Sequence, residues 1–87
     1  MVDRPYNVWK TKDSFRDSVI FGYTTLTVGD TITFSQYDTQ STIWNVSLHR
    51  FSNGQDVTCT TALNVATVTQ AGLLNEKCYF TAHGLKV

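Results

Sequence analysis

The sequence lacks several features that would assign it to a large class of proteins. Its 87 residues include one proline and two cysteines, and the formal net charge is zero. No stretch approaches the roughly 18 apolar residues of a membrane span, and the opening MVDRPYNVWK has no apolar secretory segment. Lysine and arginine do not cluster as they do in proteins that contact phosphates. We therefore expect synthesis in the cytosol, no membrane partner and no nucleic-acid partner.

Catalytic and cofactor-binding motifs are also missing. The chain has no G-x-S-x-G elbow, no H-E-x-x-H helix and no glycine-rich phosphate loop. Paired carboxylates could come only from residues in predicted turns, where aspartate usually bonds the backbone. These residues are Asp30, Asp38, Asp56 and Glu76. The sequence predicts a protein that is not an enzyme and has no cofactor.

Charge is present but unevenly distributed. Seven of the fourteen charged residues lie in the first 17 positions, and the rest of the chain relies on Thr, Ser, Asn and Gln for its polar positions. A surface so poor in charge is weakly protected against edge pairing, which favours a protein that is packed against a partner. A secreted-type β-domain with threonine-rich faces fits the composition equally well.

Residues 1–17 are predicted to form a charged N-terminal arm. Pro5 and the scattered charges are unfavourable in a central strand. The isolated aromatic rings of this segment would dock the arm on the body or on a neighbouring molecule. The candidate interface residues of the arm are Arg4, Tyr6, Trp9, Lys10, Lys12 and Phe15.

From residue 18 the pattern is that of short β-strands. Residues 24–34 read TTLTVGDTITF, in which apolar and polar residues alternate on both sides of a Gly29-Asp30 break. Six or seven such strands are separated by turn signals, and no helical periodicity persists. The pattern predicts an all-β domain over residues 18–87, a small antiparallel Greek-key β-sandwich or barrel.

Four segments occur in the order LTVGDTITF, WNVS, VATVTQAGL and YFTA. Together they resemble a bacterial immunoglobulin-like domain of the group-2 kind, over about residues 24–84. The matching positions are Val28, Gly29, Asp30, Trp44, Ser47, Val65, Ala66, Val68, Gly72, Leu73, Thr81 and Ala82. In an immunoglobulin-like sandwich Trp44 would be the large inward-facing anchor. Gly72 would supply the positive φ of a tight turn.

The resemblance implies a non-enzymatic module of the kind found in bacterial surface adhesins and in tailed-phage virions. A short chain that begins with Met and has no secretion signal fits the virion better. We therefore predict a small virion accessory protein, made in the host cytoplasm, that decorates a capsid or is associated with a tail. It would bind this larger assembly through the arm and the threonine-rich sheet faces, and it could form homo-oligomers.

Two other functions remain open. Tyr23, Tyr37 and Tyr79 lie on predicted outward faces, which suits an extracellular module that binds carbohydrate or a receptor. The C-x4-H spacing of Cys78 and His83, together with His49, suits a cupredoxin-like copper protein that transfers electrons.

The two cysteines have a structural interpretation as well. Cys59 and Cys78 lie on predicted inward faces of two strands. A disulfide between them would contribute about 3 kcal/mol to stability. Alternatively they are two buried thiols that pack as small apolar groups, and the missing secretory segment favours this reduced form.

Overall fold

The computed structural model describes residues 2–34 and 42–85, and they form two antiparallel sheets. The first sheet has the strand order β1-β2-β8-β4-β5 and the second has the order β3-β7-β6. The all-β prediction is confirmed, and the two sheets are compatible with a β-sandwich. The strands are β1 (Asn7–Ser14), β2 (Asp17–Leu26), β3 (Thr31–Thr33), β4 (Thr42–Arg50), β5 (Asp56–Val57), β6 (Cys59–Ala62), β7 (Val65–Val68) and β8 (Glu76–Leu85).

β2 and β8 form the centre of the five-stranded sheet. They pair over ten residues each, from Asp17 opposite Leu85 to Leu26 opposite Glu76. Every second residue of both strands is buried, because successive side chains of a strand point to opposite faces. We call the side of this sheet that packs on the three-stranded sheet its inner face, and the opposite side its outer face.

The Gly29-Asp30 break carries the chain from one sheet to the other. β2 ends at Leu26, and β3 begins at Thr31 beside β7 in the three-stranded sheet. Gly29 has a φ of 90°, which L side chains rarely adopt, and its N–H donates to the Val68 carbonyl at 2.9 Å. The break within TTLTVGDTITF is therefore a crossing between sheets.

The arm expected over residues 1–17 needs correction. β1 pairs with β2 along its length, and the residues before it join the three-stranded sheet, where the Arg4 N–H donates to the Thr31 carbonyl. The charges do not prevent this pairing because β1 is an edge strand and its charged side chains reach solvent. The β-structure therefore begins near residue 2, and the boundary expected before residue 18 falls inside the β1–β2 hairpin.

Two β-bulges place the two tryptophans on the outer face. The strand register shifts after Val8 in β1 and after Ile43 in β4, which leaves Trp9 and Trp44 as the extra residue of each bulge. Trp44 is 52% exposed, so the expectation that it anchors the core is wrong. The bulge reverses the alternation of β4, and Ile43 is buried in its place.

A glycine lies opposite each bulge. Gly22 pairs with Val8, and Gly84 pairs with Ile43. A Cβ atom on Gly22 would collide with the carbonyl oxygen of Asn7. The strands approach each other so closely at these positions that only glycine fits.

Three aromatic rings occupy the centre of the core. Tyr6, Phe34 and Phe80 pack with ring centroids 5.2–5.5 Å apart, and the Tyr6 hydroxyl donates to the Phe34 carbonyl at 3.1 Å. Cys78 is fully buried among apolar side chains, Cys59 packs partly buried against them, and both thiols are free.

Candidate functional site

The outer face of the five-stranded sheet carries a cluster of exposed aromatic rings. We call Trp9, Tyr23, Phe51 and Tyr79 the aromatic patch. Tyr23 and Tyr79 are directly opposite each other in β2 and β8, and Trp9 stacks on Tyr23 with centroids 5.3 Å apart at 25°. Phe51 follows β4 and meets both tyrosine rings edge-on at 6.2 and 5.3 Å. About half of the Trp9 and Phe51 side chains remains exposed, so the patch is available to a partner.

Two lysine side chains lie over aromatic rings of the outer face. The Lys77 Nζ lies 5.1 Å from the Tyr23 ring centroid and 5.0 Å from that of Phe51. Lys10 lies similarly over Phe21, at 5.9 Å. A cation over the electron-rich face of an aromatic ring is attracted to it, which holds both ammonium groups above the sheet.

A second exposed apolar surface lies at one end of the molecule. We call this the hairpin end, defined by Phe15, Leu63 and Trp44. Ser14 pairs with Asp17 across the two-residue turn that contains Phe15, and Asp17 lies opposite Leu85 in β8. Thr42 of β4 also lies opposite Leu85, and the next residue of β4 donates its N–H to the Leu63 carbonyl. These pairings bring the three residues to the same end.

Both turn residues at this end have unusual backbone conformations. Phe15 is 94% exposed and Leu63 is 75% exposed, and each has a φ of 52°. Each occupies the first position of a two-residue hairpin turn, and neither Arg16 nor Asn64 has a positive φ. A turn with a positive φ only at its first position is of the type that prefers glycine there. The chain instead displays large apolar side chains.

The residues assigned to the arm divide into two groups. Trp9, Lys10, Lys12 and Phe15 are exposed and could contact a partner. Tyr6 is a core residue that is 2% exposed, so its proposed interface role is wrong. The Nε of Arg4 lies 2.7 Å from a buried carboxylate oxygen of Asp30, which gives Arg4 a structural role.

Asp30 is one of the turn carboxylates noted in the sequence, and it bonds the backbone as expected. It accepts hydrogen bonds from the N–H groups of Thr27 at 2.9 Å and Val2 at 3.2 Å. Burial raises the pKa of its carboxyl group, but these bonds and Arg4 outweigh burial, and the pKa lies below its ordinary value. Asp30 therefore stays ionised and ties the N-terminus to the β2–β3 turn.

Of the tyrosines proposed for a carbohydrate face, Tyr23 and Tyr79 come together in the aromatic patch. Tyr37 lies outside the described residues. The sequence did not indicate Phe51, whose ring completes the patch. Phe51 comes directly after β4, and nothing in the local pattern distinguishes it from an ordinary strand residue.

The three residues of the copper alternative do not converge. His49 stacks on Tyr79 and His83 meets Trp44, so both histidines lie on the outer face. Cys78 is buried on the inner face of the same sheet. His83 is five positions after Cys78 in β8, and an odd offset puts two side chains of a strand on opposite faces. Among the described residues, no three potential metal-binding side chains form a group. These three residues therefore do not form the copper site expected from the sequence.

A smaller polar cluster lies at the other edge of the sheet. The Nδ1 of His49 is 2.9 Å from an Asp56 carboxylate oxygen, beside a cavity of about 320 Å³ that Cys59 also lines. Burial raises the pKa of the Cys59 thiol, which disfavours the nucleophilic thiolate. Within the described chain no hydrogen bond joins the His49 ring to a hydroxyl or thiol. The cluster lacks an activated nucleophile.

Comparison with known proteins gives no relative. No protein-family model, curated protein or solved structure matches the chain. Residues 2–34 and 42–85 contain no helix that could span a membrane. Function must therefore be inferred from the two exposed surfaces, the aromatic patch and the hairpin end.

Proposed function

We propose that this chain is a non-enzymatic interaction protein that attaches to a larger protein assembly through its hairpin end. Its fold would be an immunoglobulin-like Greek-key sandwich. The resemblance to bacterial immunoglobulin-like domains supports a phage virion as the assembly, with the chain serving as a capsid-decorating or tail-associated protein. The single observation that carries the attachment is the exposed Phe15.

The backbone conformation of Phe15 is unfavourable for the folded chain, and no packing of its side chain offsets this. A left-handed conformation disfavours a residue with a Cβ by about 1–2 kcal/mol. With 94% of its surface in solvent, the phenyl ring gains almost nothing from burial. Strain of this kind is commonly retained at functional sites. A ring that is displayed on the tip of a hairpin is suited to insertion into an apolar pocket of a partner.

Leu63 repeats this arrangement in the β6–β7 turn. It has the same φ of 52° and is 75% exposed. The turn is held in place because the Leu63 carbonyl accepts the Ile43 N–H at 2.7 Å and the Asn64 carbonyl accepts the Phe34 N–H at 2.9 Å. Two rigidly placed apolar side chains at one end reduce the entropy lost on docking.

The charges around Phe15 favour a protein partner. Lys12, Asp13, Arg16 and Asp17 surround the turn and sum to zero. A tip that enters an anionic lipid surface or contacts nucleic acid would need a positive excess. Balanced charges instead suit a protein pocket whose rim carries both signs, where they fix orientation more than affinity.

Site-specific photo-crosslinking tests the attachment. We would place p-benzoylphenylalanine at position 15 and, as a control, at position 74, because Leu74 is 73% exposed at the opposite end of the molecule. The cells that naturally produce the protein, and the purified chain alone, would then be irradiated. We expect a discrete adduct from position 15 that is absent from position 74.

The mass of the adduct identifies the partner. An adduct formed only in cells indicates a foreign assembly, and one of twice the chain mass in the purified sample indicates a homo-oligomer. Either supports attachment through the hairpin end. Equal adducts from both positions, or none from position 15, would overturn the proposal.

Carbohydrate recognition by an extracellular module is a second candidate. It is favoured by the aromatic patch, where Trp9 joins the cross-strand pair of Tyr23 and Tyr79. Aromatic faces on a sheet offer an apolar surface to the C–H groups of a sugar ring. This surface is distinct from the hairpin end, so both functions could be present in one chain.

A further inference from the structure

A small cavity adjoins the aromatic patch at the edge of the outer face. Its volume is about 250 Å³, which is comparable to the space needed by one sugar ring with a few waters, and its lining includes Arg4, Asn7, Tyr23, Thr25 and Lys77. Asn7 pairs with Tyr23, and Thr25 pairs with Lys77, so the cavity lies where the start of β1 meets the end of β2. Tyr23 belongs to both the cavity and the patch.

The cavity has more positive than negative charge. Arg4 meets Asp30 through its Nε alone, so the terminal guanidinium nitrogens have no partner among the described residues. No described carboxylate lies within ion-pair distance of Lys77, whose Nζ sits over the Tyr23 and Phe51 rings. Two cations with one buried countercharge leave a net charge of about plus one. The neighbouring ligand group is therefore expected to be an anion, and a carboxylate matches the guanidinium geometry.

The remaining lining groups are suited to a ligand rich in hydroxyls. The Asn7 amide both donates and accepts, and the hydroxyls of Tyr23 and Thr25 do the same. Beside them, Trp9 lies over Tyr23 at 5.3 Å and provides an apolar surface outside the cavity. A few polar groups next to exposed aromatic rings are typical of small-molecule sites. Nucleic acid fits less well, because two cations neutralise too few phosphates.

We propose that the cavity and the aromatic patch bind a saccharide that carries a carboxylate. The carboxylate lies between Arg4 and Lys77, the adjoining hydroxyls bond Asn7 and Thr25, and the sugar ring packs on Trp9, which Tyr23 supports by stacking. Uronic and sialic acids share this chemistry. The site is independent of the hairpin end, so its failure would leave the proposed attachment standing, and the reverse also holds.

Calorimetric titration of the full chain tests this site. The acidic probes are trigalacturonic acid and 3′-sialyllactose, and their neutral counterparts are α-1,4-galactotriose and lactose. We expect saturable binding of at least one acidic probe, with affinity at least tenfold higher than that of its neutral counterpart. A glutamate tripeptide serves as an acidic ligand without a sugar.

Two lysine variants separate a defined site from general attraction. Lys77→Gln should lower the affinity for the acidic saccharide about tenfold. It should lower the midpoint of thermal unfolding by no more than a few degrees, because Lys77 is exposed and loses only its contacts with the Tyr23 and Phe51 rings. Lys12→Gln removes the same charge from an exposed β1 position that does not line the cavity. It should leave the affinity unchanged.

Three results would overturn the proposal. One is the absence of saturable binding of every acidic saccharide at millimolar concentration. Another is an equal loss of affinity in both lysine variants, which would indicate non-specific attraction. The third is tighter binding of the glutamate tripeptide than of any saccharide.

Discussion

At the residue scale, burial separates the side chains that stabilise the fold from those that are displayed to solvent. Tyr6 and Asp30 are almost fully buried and make hydrogen bonds that hold separate segments together. Phe15 and Leu63 are exposed in strained turns and contribute nothing comparable. Substitutions should therefore reduce stability at the first pair and leave it intact or improved at the second.

Asp30→Ala should destabilise the fold by about 3 kcal/mol at pH 7. The change removes the acceptor of two backbone N–H groups and leaves the partly buried Arg4 without its counter-ion. Urea denaturation measures the loss. Thr67→Ala, on the outward face of the three-stranded sheet, is a control that should change the free energy of unfolding by less than about 1 kcal/mol.

The same carboxylate makes stability depend on pH. Its pKa is lower in the folded state, so its contribution is complete above the ordinary aspartate range near pH 4 and is lost as pH falls through the folded pKa. Asp30→Asn should therefore show a smaller loss of stability as the pH falls below about 4. An identical pH profile for both proteins would contradict the role of Asp30.

Phe15→Gly should raise the free energy of unfolding by up to about 1 kcal/mol, because glycine adopts a positive φ without strain. Phe15→Ala is the control that removes the ring and keeps the strain, and it should be nearly neutral. Chemical denaturation compares the three proteins. A clear loss of stability in both variants would show that the ring has a folding role after all.

At the element scale, the bulges decide what the five-stranded sheet exposes. Each bulge turns a tryptophan outward, and each is matched by a glycine on the neighbouring strand that allows close backbone approach. β1 is further protected as an edge strand by Lys10, Lys12 and its bulge, all of which discourage pairing with other chains. The outer face can therefore display aromatic rings while the edge strand β1 is discouraged from pairing with strands of other molecules.

Gly22→Ala should destabilise the protein by about 3 kcal/mol or more, because the new methyl group meets the Asn7 carbonyl oxygen and the Phe80 ring. Gly72→Ala provides the contrast. Its Cβ would meet nothing within 4 Å, so only its φ of 80° opposes alanine and the expected cost is about 1 kcal/mol. Thermal and urea unfolding should rank the two variants in this order.

At the scale of the whole molecule, the N-terminal segment contacts both sheets. Residues 2–4 bond β3, Tyr6 fills the core, and β1 completes the five-stranded sheet. Deletion of residues 1–17 would therefore unfold the chain and would not report on an interface. Attachment has to be examined with single substitutions on the exposed side chains.

Tyr6→Ala should cost about 3–5 kcal/mol, because it leaves a cavity between Phe34 and Phe80 and removes a buried hydrogen bond. Trp9→Ala, three residues later, should cost less than about 1 kcal/mol because half of its side chain is exposed. Circular dichroism melting compares them. Equal losses would mean that the aromatic patch stabilises the fold as strongly as the core does.

The sequence by itself determined the all-β class, because alternation with a period of two directly reflects how a strand divides its side chains between faces. It also identified Tyr23 and Tyr79 as outward-facing and placed the break at Gly29-Asp30. Only the tertiary structure decided that Trp44 is exposed, that the N-terminal residues belong to the sheets, and that Cys78 faces away from both histidines. A bulge shifts the alternation by one residue, and strand pairing is a long-range contact, so neither is encoded in the local pattern from which strands are read.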